Sequence, residues 1–222
     1  MSSITFSRRA VVGVLPAAIA GCATRPEPPI AEPIRKGAAI PPNLAALYAA
    51  LPQERFPIPA VDLDEIDPSV LRRVVDNRTG EAPGTVVIET GKRALFLVLE
   101  GGQALRYGVG VGREGLAWSG RAVVGRKAEW PRWTPTAAMI AREPERNARW
   151  AAGMEPGLGN PLGARALYLY RNGVDTLYRI HGTNEPWSIG QSVSSGCIRL
   201  INQDIVDLHQ RVPLGSTVVV RR

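Results

Sequence analysis

Residues 166–181 read A-L-Y-L-Y-R-N-G-V-D-T-L-Y-R-I-H, two alternating runs on either side of Asn172-Gly173. No other stretch limits the fold so tightly. An Asn-Gly pair tolerates positive φ at both positions, which is what a type I′ hairpin turn demands. A two-residue loop pairs Arg171 with Val174, Leu169 with Thr176, Tyr168 with Leu177, and Ala166 with Arg179. Because successive side chains point to opposite faces, His181 then shares a face with Arg179, Leu177, Ala166 and Tyr168. The expectation is a sheet that carries a histidine at a strand end, on the face of a tyrosine.

The rest of the body is also strand-rich. Residues 85–90, 94–100 and 103–111 read as strands, with Gly101-Gly102 as a hairpin turn, and 216–220 as a closing strand. Glycines punctuate 108–125, which suits bent strands, and three more, with two prolines, mark 154–163 as loop. Trp118, Trp130 and Trp133 are read as packing for an irregular loop in preference to a sugar platform. Helices are expected at 43–51 with Asn43 as its cap, at 68–75, and at 202–212 with Asn202 as its cap. In the last, Ile201, Ile205, Leu208 and Val212 form one apolar face, and Pro213 and Gly215 stop it.

The amino terminus follows different rules. Arg8 and Arg9 precede an apolar run from 10 to 20 that is too short to span a bilayer and suits a signal peptide. Ser7-Arg8-Arg9 resembles a twin-arginine export signal, and Ile19-Ala20-Gly21-Cys22 resembles a bacterial lipobox whose cysteine is lipidated. Residues 1–21 are therefore read as a signal, 22–60 as a proline-rich linker after a lipidated Cys22, 61–83 as a helical lead-in, and 84–222 as the main β-rich domain. Export into a periplasm, with a lipid anchor in a membrane, is the localisation expected. The formal charge is +7, or +5 without Arg8 and Arg9, which suits an anionic surface such as membrane lipid or wall polymer. Nucleic acid is a poor partner for an exported chain with no Lys/Arg run among aromatics.

Export gives the cysteine count meaning. The chain has two cysteines, and if Cys22 carries lipid then Cys197 is a lone thiol in an oxidising compartment. Cys197 follows Ser194, Ser195 and Gly196, small residues that let backbone approach a reacting group, and it shortly precedes a helix start. His181 lies sixteen residues earlier and could take the thiol proton. Glu185 and Asp204 are candidate third members, and a backbone carbonyl would serve equally. Arg199 could bind a substrate carboxylate or make a structural salt bridge. An inert buried thiol, or a metal held by Cys197, His181 and His209, are the competing readings. His209 is taken as a partly exposed helix residue.

His181-Gly182-Thr183 and Ser195-Gly196-Cys197-Ile198-Arg199 resemble the H-G-T and S-x-G-C-I-R pattern of the YkuD-like L,D-transpeptidases, and Asn160 to Gly163 agrees. The resemblance covers roughly 84–220. It implies a mostly β fold, a YkuD-like β-sandwich with a few peripheral helices. It implies Cys197 as nucleophile, His181 as base, the Gly182 carbonyl as its orienting group, and the amides of Ser195, Gly196 and Cys197 as oxyanion donors. Arg199, Tyr168, Thr183 and Trp187 would contact substrate. No metal or cofactor is implied. The partners would be peptidoglycan stem peptides and an amine acceptor, from a second stem or from an outer-membrane protein or lipoprotein. Hydrolysis by an L,D-carboxypeptidase or endopeptidase, or wall binding without catalysis, are the alternatives. Many relatives have histidine where this chain has Ser195.

Overall fold

The computed structural model describes residues 39–112, 118–193 and 198–222. Eleven strands form one hydrogen-bonded sheet in the order β1-β4-β3-β2-β11-β6-β7-β8-β10-β5-β9. They are β1 (Arg73–Asp76), β2 (Val86–Glu89), β3 (Ala94–Val98), β4 (Gln103–Gly108), β5 (Gly110–Gly112), β6 (Gly120–Glu129), β7 (Arg165–Arg171), β8 (Val174–His181), β9 (Ser192–Val193), β10 (Ile198–Arg199) and β11 (Thr217–Arg221). β4 ends at Gly108 and β5 begins at Gly110, yet the two lie near opposite ends of that order. A single residue can join them only if the sheet curls until its ends meet. One apolar cluster therefore gathers Val74 and Leu95 from one end with Ile180 and Ile198 from the other. The architecture is mostly β and sandwich-like, as expected.

The Asn172-Gly173 turn has φ of 51° and 77°, as a type I′ hairpin requires. Its register departs from simple pairing. Tyr170 pairs with Asp175, but Tyr168 pairs with Arg179, so three residues of β8 oppose one of β7. Leu177 sits in this bulge at φ 61°, and the Thr176 hydroxyl donates to the Leu169 carbonyl. The slip is two residues. An even slip leaves the alternation of faces intact, so Tyr168, Arg179, Ala166 and His181 still share a face.

The short helices are α1 (Pro42–Ala45), α2 (Ala137–Arg142) and α3 (Pro144–Asn147), and the one longer helix is α4 (Asn202–Arg211). Ile201, Ile205, Leu208 and Val212 are buried, as their spacing predicts. Gln203 and Asp204 on the polar side of α4 are buried too, because residues 39–61 cover them. This corrects the reading of 22–60 as a spacer over its described part. Tyr48 donates to Asp204, the Arg72 amide donates to Tyr48 Oη, and the Gln203 amide reaches the carbonyls of Ala49 and Pro59. The Glu54 carboxylate forms a buried ion pair with Arg165 and accepts from the Trp130 indole. Proline fixes this segment extended, which suits it to lie along a surface as well as to project from one.

Two helix expectations shrink for related reasons. The helix expected at 43–51 is α1 followed by a 3-10 turn, with Asn43 inside α1 instead of capping it and Leu47 exposed. The lead-in at 61–83 is not helical beyond 3-10 turns at Leu63–Glu65 and Pro68–Val70, after which the chain pairs with β4 as β1. Asp67 does cap its turn, accepting from the Ser69 amide, but edge pairing with β4 satisfies the following backbone better than continued helix would. Trp130 is buried edge-on against Phe56, the packing role expected of it. Residues 1–38, with the signal and Cys22, lie outside the described residues.

Candidate active site

His181 ends β8 between Ala166 of β7 and Arg199 of β10, and β10 runs parallel to β8. The ring is only 4% exposed. Its Nδ1 lies 2.7 Å from the Gly182 carbonyl oxygen. A carbonyl only accepts, so Nδ1 carries the hydrogen and Nε2 keeps its lone pair. Burial is the main cause that lowers the imidazole to about 4, and the Arg199 and Arg179 charges add to it, while the Gly182 and Pro161 carbonyls oppose it. At neutral pH the ring is therefore neutral, with its tautomer fixed by the Gly182 carbonyl.

Asn202 builds the backbone that holds this ring. Its side chain accepts from the Ala164 amide and donates to the Thr183 carbonyl. It thereby ties the loop before β7 to the loop after β8. The contact is close enough that a Cβ at Gly163 or Gly182 would stand 2.3 Å from Asn202 Oδ1. These glycines are required by that approach, and Gly163 also has φ 62°. Sequence alone suggested a helix cap for Asn202; here it is the first residue of α4, and tertiary partners occupy its amide.

The ring opens into a cleft of about 580 Å³ whose lining includes Trp133, Tyr168, Arg179, Glu185 and Arg199. Arg199 is 7% exposed. Its Nη1 bonds to Glu185 at 3.0 Å, while Nε and Nη2 are buried without a hydrogen-bond partner. Burial is the first cause that lowers this guanidinium below its usual range, against the Glu185 carboxylate that supports its charge. The salt bridge expected of Arg199 is thus present, to Glu185.

The expected substrate contacts divide. Tyr168 lines the cleft with His181. Thr183 is buried, and its hydroxyl accepts from the Glu185 amide, so it shapes the loop. Trp187 is 52% exposed and lines a different groove, beside Ile40, Ile189 and Gln191. Of the candidate acids, Glu185 faces Arg199 and Asp204 faces Tyr48 and Arg72, so neither orients His181. His209 is buried instead of partly exposed, since residues 39–61 and β6 enclose that side of α4 and Lys127 bonds to its carbonyl. Ser195, Gly196 and Cys197 lie outside the described residues, as does Ser194. The described chain resumes at Ile198, directly after Cys197, with Arg199 level with His181.

Comparison with known proteins agrees with this construction. The YkuD family, the L,D-transpeptidase catalytic domain, matches residues 83–220. The chain is 37% identical over 138 residues to the probable L,D-transpeptidase YbiS of Escherichia coli, covering 60% of this chain and 43% of YbiS. It is 38% identical over 137 residues to a putative L,D-transpeptidase from the ATP synthase subunits region of Fuscovulum blasticum, covering 61% and 68%. This chain therefore spans less than half of the length of YbiS. A crystal structure of a probable carnitine operon oxidoreductase from Brucella melitensis is 49% identical, with a TM-score of 0.50, covering 69% of this chain and 95% of that one. With a family match across more than half its length, the chain belongs to the YkuD family of L,D-transpeptidase catalytic domains.

Proposed function

We propose that this protein is a peptidoglycan L,D-transpeptidase in which Cys197 is the nucleophile and His181 its base. The observation that carries the reading is the buried, neutral His181 whose Nδ1–H is held by the Gly182 carbonyl. That hydrogen bond leaves Nε2 free to accept a proton, on a strand level with the residue two after Cys197. In the proposed cycle the Cys197 thiol gives its proton to Nε2, and the sulfur attacks the carbonyl at the L-centre of the third stem residue. Amides of residues 195–197 stabilise the oxyanion. The C–N bond to the terminal D-residue breaks, its nitrogen takes the proton from His181, and a thioester remains. An amine then attacks the thioester, gives its proton to His181, and the thiol returns. Arg199, which lines the cleft and keeps two nitrogens without a hydrogen-bond partner, binds a substrate carboxylate.

Export and a lipid anchor on Cys22 belong to the same proposal and rest on residues 7–22. One measurement tests these parts together: the intact mass of protein isolated from membranes, before and after a carbapenem. The expected result is an acyl mass on Cys22 and a single drug adduct that Cys197→Ala abolishes. An adduct that persists in Cys197→Ala removes the nucleophile assignment, and an unmodified Cys22 removes the anchor. Muropeptide analysis then separates transfer to an amine from hydrolysis.

A further inference from the structure

β1 and β4 set two arginines directly opposite each other, since Arg73 pairs with Arg106. Like charges in that position repel and weaken a strand pair. Both guanidiniums reach one acceptor: Nη1 of each donates to the Ser69 carbonyl at 2.8 Å. Arg73 Nη1 also donates to the Leu71 carbonyl, while its Nε is buried without a hydrogen-bond partner. Neither arginine makes an ion pair among the described residues. Burial first, and then the Arg73 charge, pushes Arg106 down to about 10, and burial lowers Arg73 as well. Tyr48, and no carboxylate, opposes these shifts.

The turn that carries the shared acceptor is fixed. Val70 follows Ser69 in the 3-10 turn Pro68–Val70 and packs closely against two glycines. A Cβ at Gly108 would stand 2.3 Å from Val70 Cβ, and one at Gly190 would stand 2.7 Å from Val70 Cγ1. The Ser69 carbonyl therefore holds both guanidiniums in place before any ligand arrives. Ser69 and Arg106 line a groove of about 1140 Å³ that shares no lining residue with the His181 cleft. Its other charged residues are of both signs: Lys92 and Arg93 against Asp64, Glu65 and Asp67. Lys92 pairs with Glu89, and Asp67 accepts from the Ser69 amide.

We propose that Arg73 and Arg106 form a binding site for a phosphate group at this groove. Two cations without a counter-ion match the charge of a phosphate monoester at neutral pH, about −1.5 to −2. A carboxylate offers two oxygens, which one guanidinium fork satisfies. The three outer oxygens of a phosphate monoester accept from both arginines at once. The bound group supplies the missing counter-ion and relieves the repulsion between β1 and β4. The site is independent of the transpeptidase reading, because it uses neither the His181 cleft nor its residues.

The test is calorimetric titration of the full chain with inorganic phosphate, against chloride at matched ionic strength. A dissociation constant of about 1 mM or tighter is expected, with a higher Tm in phosphate than in chloride. Arg106→Gln and Arg73→Gln should each weaken binding about tenfold and abolish the Tm difference. Arg171→Gln at the hairpin tip should keep both. If the arginines only tie down the Ser69 carbonyl, the parent protein has the same Tm in both salts, and that result overturns the site. Parent-like phosphate affinity in both Gln variants overturns it too. Where a Gln variant fails to fold, Arg106→Lys keeps the charge but loses the planar fork, so it should bind about threefold more weakly. Unchanged affinity in Arg106→Lys then counts against the site. Glycerol 3-phosphate that binds at least as tightly as inorganic phosphate identifies an esterified phosphate as the ligand, and weaker binding identifies the free ion.

Discussion

A histidine that serves as a base near neutral pH must remain unprotonated and must aim one nitrogen. His181 meets both conditions through its surroundings: burial first, then Arg199 and Arg179, lower it to about 4, and the Gly182 carbonyl fixes its tautomer. The sign follows directly. A ring held below its ordinary 6.5 keeps its lone pair as pH falls, so the acid limb of kcat/KM should lie nearer 4 than 6.5. The same shift links to stability. Between about 4 and 6.5 the unfolded chain binds a proton that the folded chain excludes, so stability from this group is complete above 6.5 and is lost as pH falls towards 4. His209 is also lowered to about 4, by burial and then by Lys127 and Arg165. A His209→Asn protein therefore leaves one titrating imidazole, which NMR can follow. A midpoint at or above 6.5 would contradict the neutral-base geometry.

At the scale of elements, the site is a meeting of β7, β8, β10 and the first turn of α4. The Asn172-Gly173 hairpin was legible because one turn type fits it, and the shared face of Tyr168 and His181 survived because the β8 bulge adds two residues. An odd insertion would have turned His181 away. The bulge itself left no signal, since Thr176-Leu177-Tyr178 alternates like any strand. Asn202 was read by local chemistry, where a helix cap is the usual use of its amide, and only the fold reveals Ala164 and Thr183 as its partners. Asn202→Ala should leave the Ala164 amide and Thr183 carbonyl unpaired, at a cost of about 1–3 kcal/mol in stability. It should also lower kcat roughly tenfold by loosening the His181 loop. Asn202→Asp keeps an acceptor for Ala164 but loses the donor to Thr183, so its kcat should fall as well. Circular dichroism fixes the folded fraction, and a kcat that matches wild type in folded Asn202→Ala would mean the tie does not position the base.

Across the whole molecule, α4 turns its apolar face into the core of the curled sheet, and residues 39–61 close over the helix from its polar side. Composition cannot distinguish a proline-rich spacer from a proline-rich strap, because both avoid helix and both run extended. The difference lies in single side chains. Tyr48, 1% exposed, is the most buried large residue of the segment, and Glu54 places a carboxylate against Arg165, whose side chain is 7% exposed. Arg165 also accepts the Gly182 amide on its carbonyl, so the strap reaches the backbone of the active site through one residue. Removing one partner of a buried ion pair strands the other charge, at about 3–5 kcal/mol. Glu54→Ala should therefore lower Tm by roughly 10 °C, since each kcal/mol corresponds to about 2–4 °C in a chain of this size. Thermal unfolding of the full chain measures it. A fall of less than about 2 °C would mean that the segment merely rests on the domain, whereas the larger fall makes it part of the folding unit.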